Sequence, residues 1–332
     1  MSSDSPSGED KLIARFFGPI ATDPGALGLS DDAAFIKPPP GTEMVLKTDA
    51  IVGGIHFFAE DPADAVAQKA LRVNLSDLAA KGARPLGFLV SLALPKGIGD
   101  DWLSAFASGL REDAATYKCP LFGGDTVRSP GPIMVSVATF GSVPEGRMVR
   151  RAGAKAGDHV FVTGTIGDAA LGLKLRHGAP SSEDWPLDEK QREHLLSRYM
   201  LPRPRSAMAQ AVLDYASASM DVSDGLAGDL AKLCRVSKVA AEIDAARVPL
   251  SDAAQAAIAH DGSLIEPALT GGDDFEILCT VPPANIDRFR VAAMMARTAI
   301  TDIGVIGDGE GAVFRGRDGI AMSFAHASFS HF

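Results

Sequence analysis

"VNLSDLAAKG", residues 73–82, closes a segment whose periodicity reads as an amphipathic helix. Val66, Ala70 and Val73 recur at i, i+4 and i+7, and the helix is expected to start near Pro62. Asp77 lies eleven residues beyond Val66, so at about 100° per residue it returns to within roughly 20° of the same apolar face. A carboxylate on a buried face must meet a cation or become neutral. Working outward, "LGFLVSLALP" (86–95) reads as a buried strand and residues 100–117 as a helix. "MVLKTDAIV" (44–52), "CPLFGGDT" (119–126) and "PIMVSVATFGSV" (132–143) read as further strands. "AAFI" (33–36) reads as a strand set off by the turn "KPPPGT", and "EDKLIARFF" (9–17) as a short helix. This alternation predicts a mixed α/β chain.

The length of 332 residues favours two domains over one. The basic, glycine-containing stretch "PEGRMVRRAGAKAGD" (144–158) is short of large apolar side chains, and the boundary is expected there, giving domains 1–150 and 151–332. The second opens with "HVFVTGTIGDAALGL" (159–173), a strand, a glycine turn and a helix, and "SASMDVSDGLAGDLAKLC" (217–234) repeats the pattern. "FEILCTVP" and "AITDIGVIG" read as later strands, and 178–188, "GAPSSEDWPLD", as a surface loop. A net charge of −10 argues against nucleic acid or an anionic membrane surface as partner. Cys119, Cys234 and Cys279 follow no zinc spacing and read as small core residues. "MSSDSPSGEDK" lacks the apolar stretch of a signal peptide, and no apolar run is long enough to span a bilayer, so a soluble cytoplasmic protein is expected.

Six acidic motifs share one design: "LSDDAAF" (29–35), "LKTDAIV" (46–52), "NLSDLAA" (74–80), "FGGDTVR" (122–128), "MDVSDGL" (220–226) and "TGGDDFEIL" (270–278). In each, aspartate stands beside small or hydroxyl residues where an apolar segment begins or ends. Singly, "DVSDGL" is an ordinary helix cap and "GGDT" an ordinary turn. Together they form an all-oxygen donor set of the kind magnesium favours, with phosphate oxygens completing its shell. A divalent ion would also reconcile an acidic protein with an anionic ligand. The chain has no Gly-Lys dipeptide and no G-x-G-x-x-G spacing, so Walker and Rossmann phosphate cradles are excluded.

"GLSDDAA", "KTDAIVGGIHF", "VNLSDLAAKGARP", "GGDT", "RRAGAKAGD", "VTGTIGDAALGL", "DVSDGL" and "GGDDFEIL", with a terminal "FSHF", resemble the thiamine-monophosphate kinase family in content and order. The resemblance implies the two-domain aminoimidazole ribonucleotide synthetase-like fold, with N-terminal strands forming a barrel across a homodimer. It also implies ATP-dependent phosphorylation of thiamine monophosphate to the diphosphate, with several magnesium ions and without nucleic acid or membrane. Carried over by motif, the metal ligands are Asp32, Thr48, Asp49, Asp77, Asp125, Asp221 and Asp224. ATP contacts fall on Gly124, Asp125, Arg151, Ser223 and Tyr117, and substrate contacts on His56, Asp273 and Phe329. Asp49, Asp77, Asp125 and Arg151 carry the catalytic roles.

Three positions depart from the family pattern. Lys47 replaces a hydroxyl residue, Lys81 a methionine, and Asp273 the glutamate of "GGED". A selenophosphate or aminoimidazole ribonucleotide type of synthetase is the competing enzyme reading. No cysteine precedes Cys119, which weighs against the former. A non-catalytic nucleotide or thiamine sensor is the competing reading outside enzymes.

Overall fold

The computed structural model describes residues 11–178, 182, 184–326 and 328. The chain divides into two compact units, Met1–Leu75 with Arg84–Gly146, and Ser76–Ala83 with Arg147–Phe332.

The first unit holds β1 (Thr42–Val52), most of α1 (Ala63–Ala80), β2 (Arg84–Leu94), α2 (Asp100–Thr116), β3 (Leu121–Arg128) and β4 (Met134–Pro144). Its sheet runs β1-β4-β2-β3, and only β2 and β3 are parallel. Alternation sets the two faces: Phe88, Val90, Leu92, Val135 and Val137 are buried, whereas Leu46, Ala50, Ser91 and Val127 are exposed. Helix α1 is buried on almost every side, exposing only Asp64 and half-burying Arg72 and Asp77. It is therefore not amphipathic as expected, because its alanines leave room for neighbours on all sides, and Asp77 occupies one of its more open positions. Asp113 of α2 binds Arg72 of α1 through two contacts, Nε at 2.7 Å and Nη2 at 2.9 Å.

One expectation fails ahead of β1. Residues 33–36 form no strand: the Phe35 N–H is taken by Gly25 O at 3.0 Å, and the three prolines that follow have no N–H to offer a ladder. The short helix expected over 9–17 is present in its described part, 11–17, with Ile13–Phe17 wound as a π-helical turn.

The second unit contains β5 (His159–Thr163), α3 (Asp168–Arg176), α4 (Glu189–Met200), α5 (Ala209–Tyr215), β6 (Ala218–Asp221), α6 (Leu226–Ser237) and β7 (Ala240–Asp244). There follow α7 (Asp252–His260), α8 (Ile265–Thr270), β8 (Ile277–Val281), α9 (Ile286–Met295), β9 (Ile300–Gly307) and β10 (Gly311–Arg315). Six strands run β10-β7-β9-β5-β8-β6, parallel only between β10 and β7. Val160, Val162, Met220, Leu230, Ile243, Leu278 and Ile303 build the core on this sheet. A smaller cluster joins Leu171, Leu195, Ala254 and Leu264 to Trp185. Trp185 is buried, so the expected surface loop 178–188 is anchored inward by its one large aromatic side chain. Asp188 then starts α4 with a capping box to Gln191.

Candidate functional site

In the first unit a cavity of about 720 Å³ has apolar walls that include Phe17, Leu29, Leu89, Phe122 and Phe140. Its polar lining is Asp31, Asp32, Ser91, Gly124, Asp125 and Thr126. Asp125 stands opposite Ser91 in the parallel β2–β3 ladder. One step back, a Cβ at Gly124 would lie 1.8 Å from Val90 O, so only glycine lets the two strands meet there. Asp32, Gly124 and Asp125, which the resemblance gave as metal and ATP contacts, thus share one cavity.

Thr48 and Asp49 sit on β1, two strands away from β2. Thr48 Oγ1 donates to Val137 O at 3.1 Å, and Lys47 Nζ rests 3.1 Å from Asp49 Oδ1. Consecutive strand residues face opposite ways, so Thr48 shares a sheet face with Asp125 while Asp49 points to the other. His56 Nδ1 accepts the Val52 N–H at 3.0 Å, which assigns the ring proton to Nε2, and Lys69 Nζ holds the His56 carbonyl at 2.8 Å. Tyr117 caps α2, its ring centroid 6.0 Å from the Arg72 guanidinium carbon.

In the second unit, Asp221 ends β6 and is buried, and Ser223 and Asp224 form the turn into α6. Both turn amides donate to Asp229 Oδ2, at 3.0 Å from Ser223 and 2.9 Å from Asp224. Lys232 Nζ bridges Asp229 Oδ1 at 2.9 Å and the Asp224 carboxylate. The segment 271–276 lies against this turn: Asp273 N–H donates to Ser223 O, and Phe275 N–H to Val222 O, both at 2.8 Å. A Cβ at Gly272 would meet Ser223 O at 2.3 Å. Asp273 and Phe275 adopt positive φ of 61° and 50°, strain that an over-determined segment can hold next to a functional group. Asp221, Ser223, Asp224 and Asp273 are therefore gathered. Asp77 lies half-buried on the last turn of α1, and Arg151 is exposed, its carbonyl accepting Ser237 Oγ at 3.1 Å. Phe329 lies outside the described residues.

The sequence reading missed the supports of this segment. Buried Glu276 accepts from Arg198 Nη2 at 2.9 Å, Arg205 Nε at 2.6 Å and Thr163 Oγ1 at 2.7 Å. Asp229 had a local signal, an aspartate in the first turn of a helix entered through "DVSDG", but the arginines come from distant elements.

Among the described residues no three His, Cys, Asp or Glu side chains are arranged to hold a metal by themselves. The donor chemistry fits magnesium nonetheless. It is all oxygen, and magnesium takes one or two carboxylates and completes its shell with phosphate and water. Ammonium cations already rest on two of the proposed ligands, Lys47 on Asp49 and Lys232 on Asp224.

Residues 30–143 match the N-terminal domain, and residues 155–316 the C-terminal domain, of AIR synthase related protein. The thiamine-monophosphate kinase of Caulobacter vibrioides is 41% identical over 320 residues, 95% of this chain and 89% of that protein. The chain belongs to the thiamine-monophosphate kinase family. The crystal structure of the kinase from Stenotrophomonas maltophilia superposes with a TM-score of 0.83 at 36% identity, covering 94% of this chain and 96% of that one. A structure of AaThiL complexed with AMPPCP and TMP reaches a TM-score of 0.76 at 31% identity, covering 98% and 94%. The match to this family therefore spans both units.

Proposed function

We propose that this member of the family transfers the γ-phosphate of ATP to the phosphate of thiamine monophosphate, giving thiamine diphosphate and ADP. The observation that carries the reading is the near-full-length likeness to a protein solved with AMPPCP and TMP. The first-unit cavity supports it, because an apolar wall suits a purine and a rim holding Asp32, Gly124 and Asp125 suits cation-neutralised phosphates.

In this reading residues 1–150 bind metal and ATP and make the dimer contact, and residues 151–332 complete the ATP and substrate site. Asp32, Thr48, Asp49, Asp77, Asp125, Asp221 and Asp224 hold magnesium, which supplies Lewis-acid neutralisation of the phosphates. Thr48 Oγ1 donates its proton to Val137 O and keeps its lone pairs for a metal. Gly124, Arg151, Ser223 and Tyr117 contact ATP. His56, Asp273 and Phe329 contact thiamine monophosphate. The acceptor phosphate is already largely ionised near neutral pH, so no general base is required. What remains for the protein is to align two anions and offset their repulsion, with Arg151 adding fixed positive charge.

The exposed face of the β1-β4-β2-β3 sheet supports a homodimer: Leu46 is 69% exposed, and Val127 and Met134 share its side. Three free, buried cysteines suit the cytoplasm, and among the described residues no helix is long and apolar enough to cross a membrane. The test is ADP release in magnesium buffer with and without thiamine monophosphate. Turnover that needs both is expected, and ADP release indifferent to thiamine monophosphate removes the reading. Asp77→Asn should lower kcat by about 100-fold or more while leaving Tm near wild type. A variant with wild-type kcat takes Asp77 out of the mechanism.

A further inference from the structure

Lys81 follows the last turn of α1, and its N–H donates to Asp77 O at 3.0 Å and Leu78 O at 3.1 Å. Its carbonyl accepts the Val149 N–H at 3.2 Å. Its ammonium donates to Ser219 O at 2.6 Å. Ser219 N–H in turn donates to Arg150 O at 2.9 Å. These bonds close a ring: Lys81 side chain to Ser219, Ser219 amide to Arg150, and Val149 amide back to the Lys81 carbonyl.

The ring solves a problem of the fold. β6 ends the six-stranded sheet and pairs only with β8. Ser219 spends its N–H and C=O on these outside partners, and it is completely buried. A buried edge carbonyl without a donor is costly, and among the described residues a lysine tip rather than a backbone amide meets this one. Lys81 supplies both a methylene stem long enough to cross from α1 and an ammonium at its end.

We propose that Lys81 is a positioning residue, holding in register the three segments that carry Asp77, Arg151 and Asp221. Asp77 lies four residues before it, Arg151 next to the acceptor Arg150, and Asp221 two residues beyond Ser219. The proposal rests on the kinase reading above. The side chain touches neither substrate in this scheme; it sets where the groups that do are found, and small misplacements of such groups cost rate steeply.

Lys81→Met keeps the stem and removes the donor, while Lys81→Arg keeps a donor. In Lys81→Met, kcat/KM for thiamine monophosphate should fall about tenfold or more at a temperature where the protein is folded, and Lys81→Arg should recover most of it. Amide hydrogen exchange should quicken at Val149, Ser219 and residues 221–224 in Lys81→Met. If that variant does not fold, Lys81→Gln, with too short a reach for Ser219 O, is compared with Lys81→Arg in the same way. Unchanged exchange at these amides overturns the proposal. So does a lower Tm with wild-type kcat/KM. Wild-type protein without thiamine monophosphate-dependent turnover overturns the kinase reading instead, and the exchange comparison still decides the ring.

Discussion

Asp274 Oδ1 accepts the Gly167 N–H at 2.9 Å, and its Oδ2 has no hydrogen-bond partner among the described residues. Burial pushes this carboxyl well above the usual carboxylate range, against the opposing pull of the Gly167 amide. Asp168, also buried, goes the other way: burial raises it, but His194 at 2.9 Å, Ser251 and Thr165 at 2.6 Å together outweigh that and lower it. The signs follow by linkage. A raised folded-state pKa makes Asp274 contribute stability below its unfolded value of about 3.9 and lose it as pH rises through the folded value. Asp168 contributes above its unfolded value and loses that contribution as pH falls through its lowered one. Asp274→Asn keeps an oxygen for the Gly167 amide and has no charge to suppress. Its Tm should exceed wild type by a margin that grows as pH rises above about 4 and closes below it. Parallel Tm profiles over that rise would show that Asp274 has the same pKa in the folded and unfolded chain. Both residues belong to motifs quoted from the sequence, yet their opposite behaviour was illegible there, because two of the three donors on Asp168 come from 26 and 83 residues away.

Strands β1 to β4 and helices α1 and α2 were legible in the sequence to within a few residues, since apolar runs, turn residues and Pro62 mark them. The failures are as physical as the successes. "AAFI" has the composition of a strand, but a strand exists only where a ladder partner does, and Gly25 claims its Phe35 amide. Alanine-rich α1 reads as amphipathic by period, yet small side chains let neighbours close over every face. Taken singly "GGDT" reads as a turn, but the strand read over 119–126 is the one that forms, and in β3 the missing Cβ at Gly124 permits contact with Val90. Gly124→Ala should part β2 and β3 and cost about 1–3 kcal/mol or more, read as a lower denaturation midpoint. An unchanged midpoint would mean that the strands can separate without loss.

At the scale of the molecule, each unit builds its own sheet and gathers its own share of the acidic residues. Asp32, Gly124 and Asp125 meet on the first unit's cavity; Asp221, Ser223, Asp224 and Asp273 meet on one turn of the second. The apolar outer face of the first sheet is where the homodimer reading can be tested. Leu46→Glu places a charge on that face without touching the buried one, so the protein should sediment at half the wild-type mass with its Tm little changed in the monomer. Retained dimer mass would move the subunit contact elsewhere.

By itself the sequence determined the family, the α/β alternation and the list of acidic motifs, because order, spacing and residue type are local properties of a chain. The acidic candidates are carried by six short motifs, while Arg151, Tyr117, His56 and Phe329 came only with the family resemblance. Tertiary structure decided which of them share a surface, which carboxyls burial raises and which their donors lower, and what the lysines do. Lys81 is the clearest case. As a residue it only broke a pattern, and its meaning lies in a carbonyl 138 residues away that, among the described residues, a lysine tip rather than a backbone amide meets.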